Sequence, residues 1–266
     1  MSKTSQEQLR EAMELQRQGD LAGAKARYTE ILLESPENPD ALQLSGLASL
    51  QLGDIDDAVL LIQKAVDHVP DHPVLRNNLG LAMHKAGTLV AAAGQLQKAL
   101  ELQEDYAGAH MNLAAVYADL GDREGALQHG LESVELDPER AEAWFNLGLF
   151  LLDRVELPQA IEAFNRALLK QPRYAAAAAS LLYTLNLAPH HDPEQVAREH
   201  RRISAVVYGS TPARPDWEPQ GKLRIAYLSA DFRRHAVNHF FEPLLNHHDR
   251  DQFHISCYSD TAQHDD

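Results

Sequence analysis

Three asparagines recur at equal spacing and carry the chemistry needed to bond to a polypeptide backbone. Asn78, Asn112 and Asn146 lie 34 residues apart, and each directly precedes a Leu-Gly or Leu-Ala pair. A primary amide both donates and accepts hydrogen bonds, so a row of amides can pair with the N–H and C=O groups of an extended peptide. The alternative is that these asparagines only cap or bridge neighbouring helices.

Histidines and a single cysteine are the other residues with reactive side chains that the sequence brings to notice. His190 with His191, and His247 with His248, are adjacent pairs, so they lack the i, i+4 spacing that places two metal ligands on one helix face. We therefore predict no metal site. Cys257 lies among alternating apolar residues, which is typical of a buried small side chain rather than a nucleophile. One cysteine excludes an intramolecular disulfide and fits the reducing cytoplasm.

A repeat of 34 residues positions the asparagines. In the unit from Ala141 to Pro172, apolar residues at spacings of three and four mark one face of a first helix and one face of a second. Steps of 34 residues lead to turn glycines and, except at Glu104, to prolines that stop the second helix. These are Gly19, Gly53, Gly87 and Gly121, and Pro36, Pro70 and Pro138. The glycines suit a left-handed backbone after the first helix.

This period and pattern resemble the tetratricopeptide repeat, which stacks helix pairs into a superhelix. The resemblance implies five repeats and a sixth first helix over residues 5–188, with the first helices lining a concave groove that contains the asparagines. Small residues should let the helices approach closely. They are Gly46, Gly80, Ala114 and Gly148, and Ala58, Ala92, Ala126 and Ala160. Gly130, where an aromatic residue or leucine is expected, has no explanation in the sequence.

Charge and hydropathy exclude two classes of partner. The formal net charge is −15, and an acidic surface repels the phosphate backbone of nucleic acid. The longest weakly polar run, residues 175–188, is interrupted by polar residues and is shorter than the ~18 apolar residues of a membrane span. The polar start of the chain lacks the apolar core of a secretory signal. We therefore expect a cytoplasmic protein that binds neither nucleic acid nor membrane.

The chain changes character after the repeats. No second helix matching the repeat is predicted after the sixth first helix; residues 189–221 instead form a connecting helix, capped by Asp192 and Pro193, and a linker rich in proline and glycine. In residues 222–266, two β-rich runs, KLRIAYLS and FHISCYS, flank a helical pattern. This order predicts the first βαβ unit of an α/β domain that continues beyond these residues. The predicted fold class is thus mostly α, with an incomplete α/β domain at the end.

Several segments after the repeats together resemble a known family. LLYTLN, EHRR and LRIAYLSADFRRHAVNHFFEPLL follow in order, and FHISCYS comes after them. They resemble the bacterial type of the SPINDLY-like O-linked N-acetylglucosamine transferases, although Ile203 stands where many relatives have Trp and Arg233 replaces a Gly of the animal-type motif. The resemblance implies a metal-independent glycosyltransferase with two facing Rossmann-like domains. The enzyme would transfer a sugar from UDP-N-acetylglucosamine to Ser or Thr of acceptor proteins bound by the repeats.

The same resemblance gives His235 a role. This residue follows the first predicted strand, at the end where open α/β sheets bind ligands, and it matches the motif histidine near the acceptor site of the family. A neutral imidazole there would hold the acceptor hydroxyl and take its proton. His239, four residues on, would contribute to acceptor binding. The alternative is that His235 caps the following helix or bonds to a loop carbonyl.

Two functions are therefore predicted for the sequence. The first is that of a protein O-glycosyltransferase, with a donor site mainly outside this chain and no other cofactor. Because close relatives transfer fucose, the donor sugar stays open. Two strands cannot form a donor cleft, so these 266 residues alone should be inactive. The alternative is a non-catalytic tetratricopeptide scaffold that binds peptides.

Overall fold

The structure is a computed structural model, and it describes residues 5–188, 193–209, 223–229, 247, 249, 251 and 253–259. The chain divides into two compact units, Met1–Ser210 and Thr211–Asp266. Among the described residues, twelve α-helices belong to the first unit and two β-strands to the second. No helix in these segments is both long enough and apolar enough to cross a membrane.

The helices of the first unit pack in the order of the sequence, each against the next. They are α1 (Ser5–Arg17), α2 (Leu21–Glu34), α3 (Pro39–Leu52), α4 (Ile55–His68), α5 (Pro73–Lys85), α6 (Leu89–Leu102), α7 (Ala107–Asp119), α8 (Arg123–Leu136), α9 (Ala141–Asp153), α10 (Leu157–Lys170), α11 (Ala175–Leu187) and α12 (Pro193–Tyr208). The odd-numbered helices also contact one another in succession from α1 to α11. The first helices of the pairs therefore form one continuous layer, as stacked helix pairs require.

Local signals in the sequence set the helix boundaries. Asn38 accepts a hydrogen bond from the backbone N–H of Ala41 at the start of α3, and Pro39 occupies the first turn, where no N–H is needed. At the ends of the first helices, all four predicted turn glycines have positive φ, from 75° to 88°. The fifth turn has Val155 at φ 62°, a conformation that a β-branched residue rarely adopts.

The predicted small residues lie where the two helices of a pair touch. A Cβ atom added to Gly80 would be 2.6 Å from Leu96 Cγ, and one added to Gly148 would be 2.5 Å from Phe164 Cε1. The four predicted alanines of the second helices are 0 or 1% exposed. The close-approach prediction is therefore confirmed, because no larger residue fits at these glycines without moving its neighbour.

Gly130 now has a physical explanation. Its equivalents in the other second helices are large side chains: Tyr28, Ile62, Leu96 and Phe164. At Gly130 the space is taken by the next repeat, since a Cβ here would meet the Phe150 ring at 3.1 Å and Leu147 Cδ1 at 3.4 Å. The ring of Phe150 in α9 thus replaces the side chain that α8 lacks.

The predicted connecting helix contacts the sixth first helix. Helix α12 packs on α11, and its Ile203 is 3% exposed in the same apolar cluster as Leu181 and Leu185. Val196 and Val207 of α12 pack against this cluster. The connecting helix therefore packs on the end of the array, with a smaller contact than the two helices of the other pairs make.

The second unit contains a parallel strand pair. Strand β1 (Leu223–Ser229) pairs with β2 (Phe253–Ser259) in a register that runs from Leu223 opposite Phe253 to Ser229 opposite Ser259. Both strands lie where the sequence predicted them, and their parallel direction agrees with a crossover between them. The predicted crossover helix and most of the preceding linker lie outside the described residues.

Candidate functional site

The three predicted asparagines lie on consecutive first helices, but they have different surroundings. Asn78 of α5 is only 8% exposed, whereas Asn112 of α7 and Asn146 of α9 are half-buried. Asn112 Nδ2 donates to Asn77 Oδ1 at 2.8 Å, and Asn77 Nδ2 donates to Asn78 Oδ1 at 3.3 Å. Two of the three amides therefore take part in a chain of hydrogen bonds that bridges α7 and α5.

Asn77 is a member of this chain that sequence reasoning missed. Its side chain is 6% exposed and accepts the bond that crosses between repeats. A spacing of 35 residues could have identified Asn77. It lies 35 residues before Asn112, and Gln16 and Gln51 form a cross-repeat hydrogen bond at the same separation. Adjacent first helices thus meet through residues 35 apart rather than 34.

Asn146 has a free amide and faces a cavity. Its side chain makes no hydrogen bond within the described part of the chain, and it lines a cavity of about 740 Å³ on the layer of first helices. Ala115 and Ala118 of α7 and Leu149 and Phe150 of α9 give this cavity an apolar lining. The arrangement combines a hydrogen-bonding amide with an apolar hollow, which is typical of a binding site for an organic ligand.

Two side-chain contacts that each involve a carboxylate border the cavity. His84 Nε2 donates to Asp119 Oδ2 at 2.6 Å, and the Arg123 guanidinium bonds to the Asp153 carboxylate through two nitrogens. The side chains of Asp119 and Asp153 remain 60% and 55% exposed. Each carboxylate therefore keeps acceptor capacity toward solvent or a ligand.

A pair of histidines forms a second polar cluster, between α7 and α8. The backbone carbonyl of Glu104 can only accept, so His110 Nε2 is the donor of their 2.9 Å bond. His110 Nδ1, 2.9 Å from His129 Nδ1, must then accept from it when His110 is neutral. His129 also stacks on Tyr117 with ring centroids 5.6 Å apart. The cluster joins the third and fourth repeats at Glu104, the place where the other repeats have proline.

The surroundings of His129 favour its neutral form. Burial lowers the pKa of the imidazole, and the neighbouring His110 lowers it further. The carboxylates of Glu132 and Asp122 act in the opposite direction, with smaller effect. No sequence pattern singles out these two histidines, because they are 19 residues apart and meet only through the fold.

The residues predicted from the transferase resemblance are not placed by the structure. His235 and His239 lie outside the described residues, as do His190, His191 and His248. His247 is exposed at a turn, and Cys257 lies in β2. In the segments that the structure describes, no group of three or more His, Cys, Asp or Glu side chains could hold a metal ion.

Comparison with known proteins identifies the array. Residues 15–79 match one model of the tetratricopeptide repeat, and residues 85–139 and 113–178 match another, together more than half of the chain. The chain belongs to the tetratricopeptide-repeat family. This establishes a mostly α-helical tetratricopeptide superhelix, as predicted. The matches end at residue 178, so the resemblance of later segments to SPINDLY-like transferases stays a prediction.

Solved structures share the fold of this tetratricopeptide-repeat protein. MamA is 26% identical, with a TM-score of 0.52 over 62% of this chain and 96% of that chain. A thermophilic tetratricopeptide protein from Thermus thermophilus, TTC0263, is 23% identical, with a TM-score of 0.60 over 69% and 100%. YrrB, described as having an unusual peptide-binding site, is 24% identical, with a TM-score of 0.50 over 65% and 89%. The comparison with curated proteins gives no match.

Proposed function

We propose that this protein is a scaffold that binds extended peptide segments of partner proteins on the layer of first helices. The observation that carries the proposal is the cavity beside Asn146, where a free amide and an apolar lining lie on the face that is concave in a tetratricopeptide superhelix. An extended segment offers a backbone amide to bond and side chains to bury, so it matches both features. The partners proposed are proteins or peptides, in the cytoplasm.

The three asparagines contribute unequally in this proposal. Asn146 has both amide groups free for a peptide. Asn112 uses one N–H toward Asn77 and retains its oxygen and second N–H. Asn78 is nearly buried and already accepts from Asn77, so it has the least to offer. The order of contribution is therefore Asn146, then Asn112, then Asn78.

Binding to a peptide array tests this function. The array presents capped heptapeptides whose central position carries each of the twenty residues, flanked by lysine, serine or glutamate. We expect Asn146→Ala to weaken binding of the retained peptides about 2- to 10-fold, since each lost hydrogen bond contributes about 0.5–1.5 kcal/mol. The matched control is Asn165→Ala, a half-buried asparagine of α10 in the same repeat but on the second helix. Failure of every peptide to bind the folded protein would contradict the proposal.

A second candidate function is that of a protein O-glycosyltransferase. The observation that favours it is the parallel pairing of β1 with β2, the arrangement that begins an α/β domain. In this proposal the repeats present acceptor proteins, His235 takes the proton of the acceptor Ser or Thr, and His239 contributes to acceptor binding. The donor is a nucleotide sugar, UDP-N-acetylglucosamine.

Radiolabelled sugar transfer tests this second function. In a protein with a complete catalytic region, His235→Ala should reduce transfer to acceptor proteins far more than it changes the unfolding midpoint or donor binding. Near-normal turnover in that variant would remove His235 from the mechanism. UDP-N-acetylglucosamine and GDP-fucose, tested side by side, would identify the donor sugar.

A further inference from the structure

We propose that the cavity between α7 and α9 is a specificity pocket that receives one large apolar side chain, aromatic or long aliphatic, of a peptide with basic flanking residues. The inference rests on the proposed scaffold function and adds which peptides are selected. The pocket is defined by Ala115, Ala118, Asn146, Leu149 and Phe150, and is called the α7/α9 pocket below.

The pocket exists because the fourth repeat has small residues where the others have large ones. Ala115 and Ala118 occupy two positions of the first helix that are Leu47 and Leu50, Leu81 and His84, and Leu149 and Leu152 in the second, third and fifth repeats. Both alanines line the cavity, and Ala118 is exposed. The α7 side of the hollow is thus lined by small side chains, with His84 of α5 and Leu149 and Phe150 of α9 beside them.

Two residues that depart from the repeat pattern, Phe150 and Gly130, together place an aromatic ring in the pocket lining. The position of Phe150 is filled by Ala48, Ala82 and Val116 in the three preceding repeats, and all three are fully buried. Phe150 fits because Gly130 leaves room for its ring, and it is half-buried at the cavity. An aromatic face beside an apolar hollow favours an apolar or aromatic partner.

The rim adds a preference for basic flanking residues. Asp119 and Asp153 are both more than half exposed. Arg123 pairs with Asp153, and Asp119 accepts a hydrogen bond from His84 while most of its carboxylate stays exposed to solvent. With a chain net charge of −15, the site therefore attracts lysine or arginine and repels acidic segments.

Asn146 fixes the peptide backbone at the same place. Its free amide lies in the pocket lining, so it can bond to the peptide group of the residue whose side chain enters the hollow. The pocket and Asn146 would therefore contact the side chain and the backbone of the same peptide residue. A purely apolar surface would bind many apolar groups without fixing their position.

The test uses the same peptide array with a variant that adds a large side chain to the pocket lining. Wild-type protein should retain peptides with central Phe, Trp, Leu or Met and lysine flanks at least 10-fold more tightly than the central-Ala peptides, because burial of such a side chain has this effect on affinity. Ala118→Leu should remove that preference while leaving weak backbone-dependent binding. Ala91→Leu adds the same volume at an exposed site of α6 outside the pocket and should change nothing.

The outcomes separate the specificity-pocket proposal from the proposed scaffold function. If peptides bind without a central preference, or if Ala118→Leu keeps the preference, the α7/α9 pocket is overturned, while a loss in Asn146→Ala still supports the scaffold function. Tighter binding of glutamate-flanked than lysine-flanked peptides overturns the charge argument.

If sedimentation shows a dimer that Ala118→Leu dissociates, the occupant is a second copy and the peptide proposal fails. Should Ala118→Leu not fold by circular dichroism, Ala118→Met gives the same test with a more adaptable side chain.

Discussion

The third and fourth repeats are both pairs of helices joined by a glycine turn, but different side chains pack between and around their helices. The third follows the repeat pattern: Gly80 packs on Leu96, and Leu81 and His84 occupy the outer positions of its first helix. The fourth combines Ala114 with Gly130 and puts alanines at the outer positions. The cavity lies between the first helices of the fourth and fifth repeats, beside the alanines of the fourth. Departures from a repeat pattern therefore locate a candidate site better than agreement with the pattern, which reports packing.

The largest difference between the two repeats should appear when bulk is added at their glycines. Gly80→Leu places side-chain atoms inside Leu96, so we expect a loss of about 3 kcal/mol in the free energy of unfolding, measured with urea. Gly130→Ala meets Phe150 at 3.1 Å and also removes a helix glycine, which favours folding by about 0.5–1 kcal/mol. The second variant should therefore stay within about 1 kcal/mol of wild type. Equal losses in both would show that the Phe150 ring cannot shift.

The asparagines should separate stability from binding. Asn112→Ala leaves the buried oxygen of Asn77 without its donor, so we expect a loss of about 1–3 kcal/mol in the free energy of unfolding. Asn146→Ala breaks no bond within the described chain and should leave the urea midpoint unchanged while weakening peptide binding. A stability loss from Asn146→Ala equal to that from Asn112→Ala would make both residues structural.

The turns after the first helices of the fourth and fifth repeats can be exchanged in both directions, with smaller expected changes in the free energy of unfolding. Gly121 ends the first helix of the fourth repeat with φ 80°, and Val155 does the same in the fifth with φ 62°. A side chain in this region costs about 1–2 kcal/mol, so Gly121→Val should lower the free energy of unfolding by that amount. Val155→Gly should raise it by about 1 kcal/mol, as thermal unfolding would show. If Val155→Gly is destabilising, the valine side chain contributes more by packing than it costs in strain.

Sequence reasoning succeeded where one residue type has one mechanical purpose. The turn glycines, the close-approach glycines and the parallel strands followed from spacing and backbone preference alone. It failed where neighbours decide the outcome: Gly130 is explained only by Phe150 of the next helix. Likewise, Asn112 donates to Asn77 instead of keeping its whole amide free for a peptide, and α12 packs on the array through Ile203. Such contacts depend on three-dimensional adjacency, which a linear period does not contain.

The smallest expected effect concerns the joint between the third and fourth repeats and its dependence on pH. Because burial and His110 lower the pKa of His129 below its ordinary value of 6.5, the unfolded chain binds a proton at this residue more readily than the folded one. The resulting stabilisation is present above pH 6.5 and decreases as the pH falls from there through the lower pKa of the folded state.

The urea midpoint of the wild type should decrease over that range more than the midpoint of His129→Gln, whose amide can still donate to His110. The other histidines are the same in both proteins, so the difference between the two curves reports the contact of His129 with His110. Parallel curves would show that His129 accepts its proton in the folded array as easily as in the unfolded chain, and that the joint between the third and fourth repeats does not respond to acid through this residue.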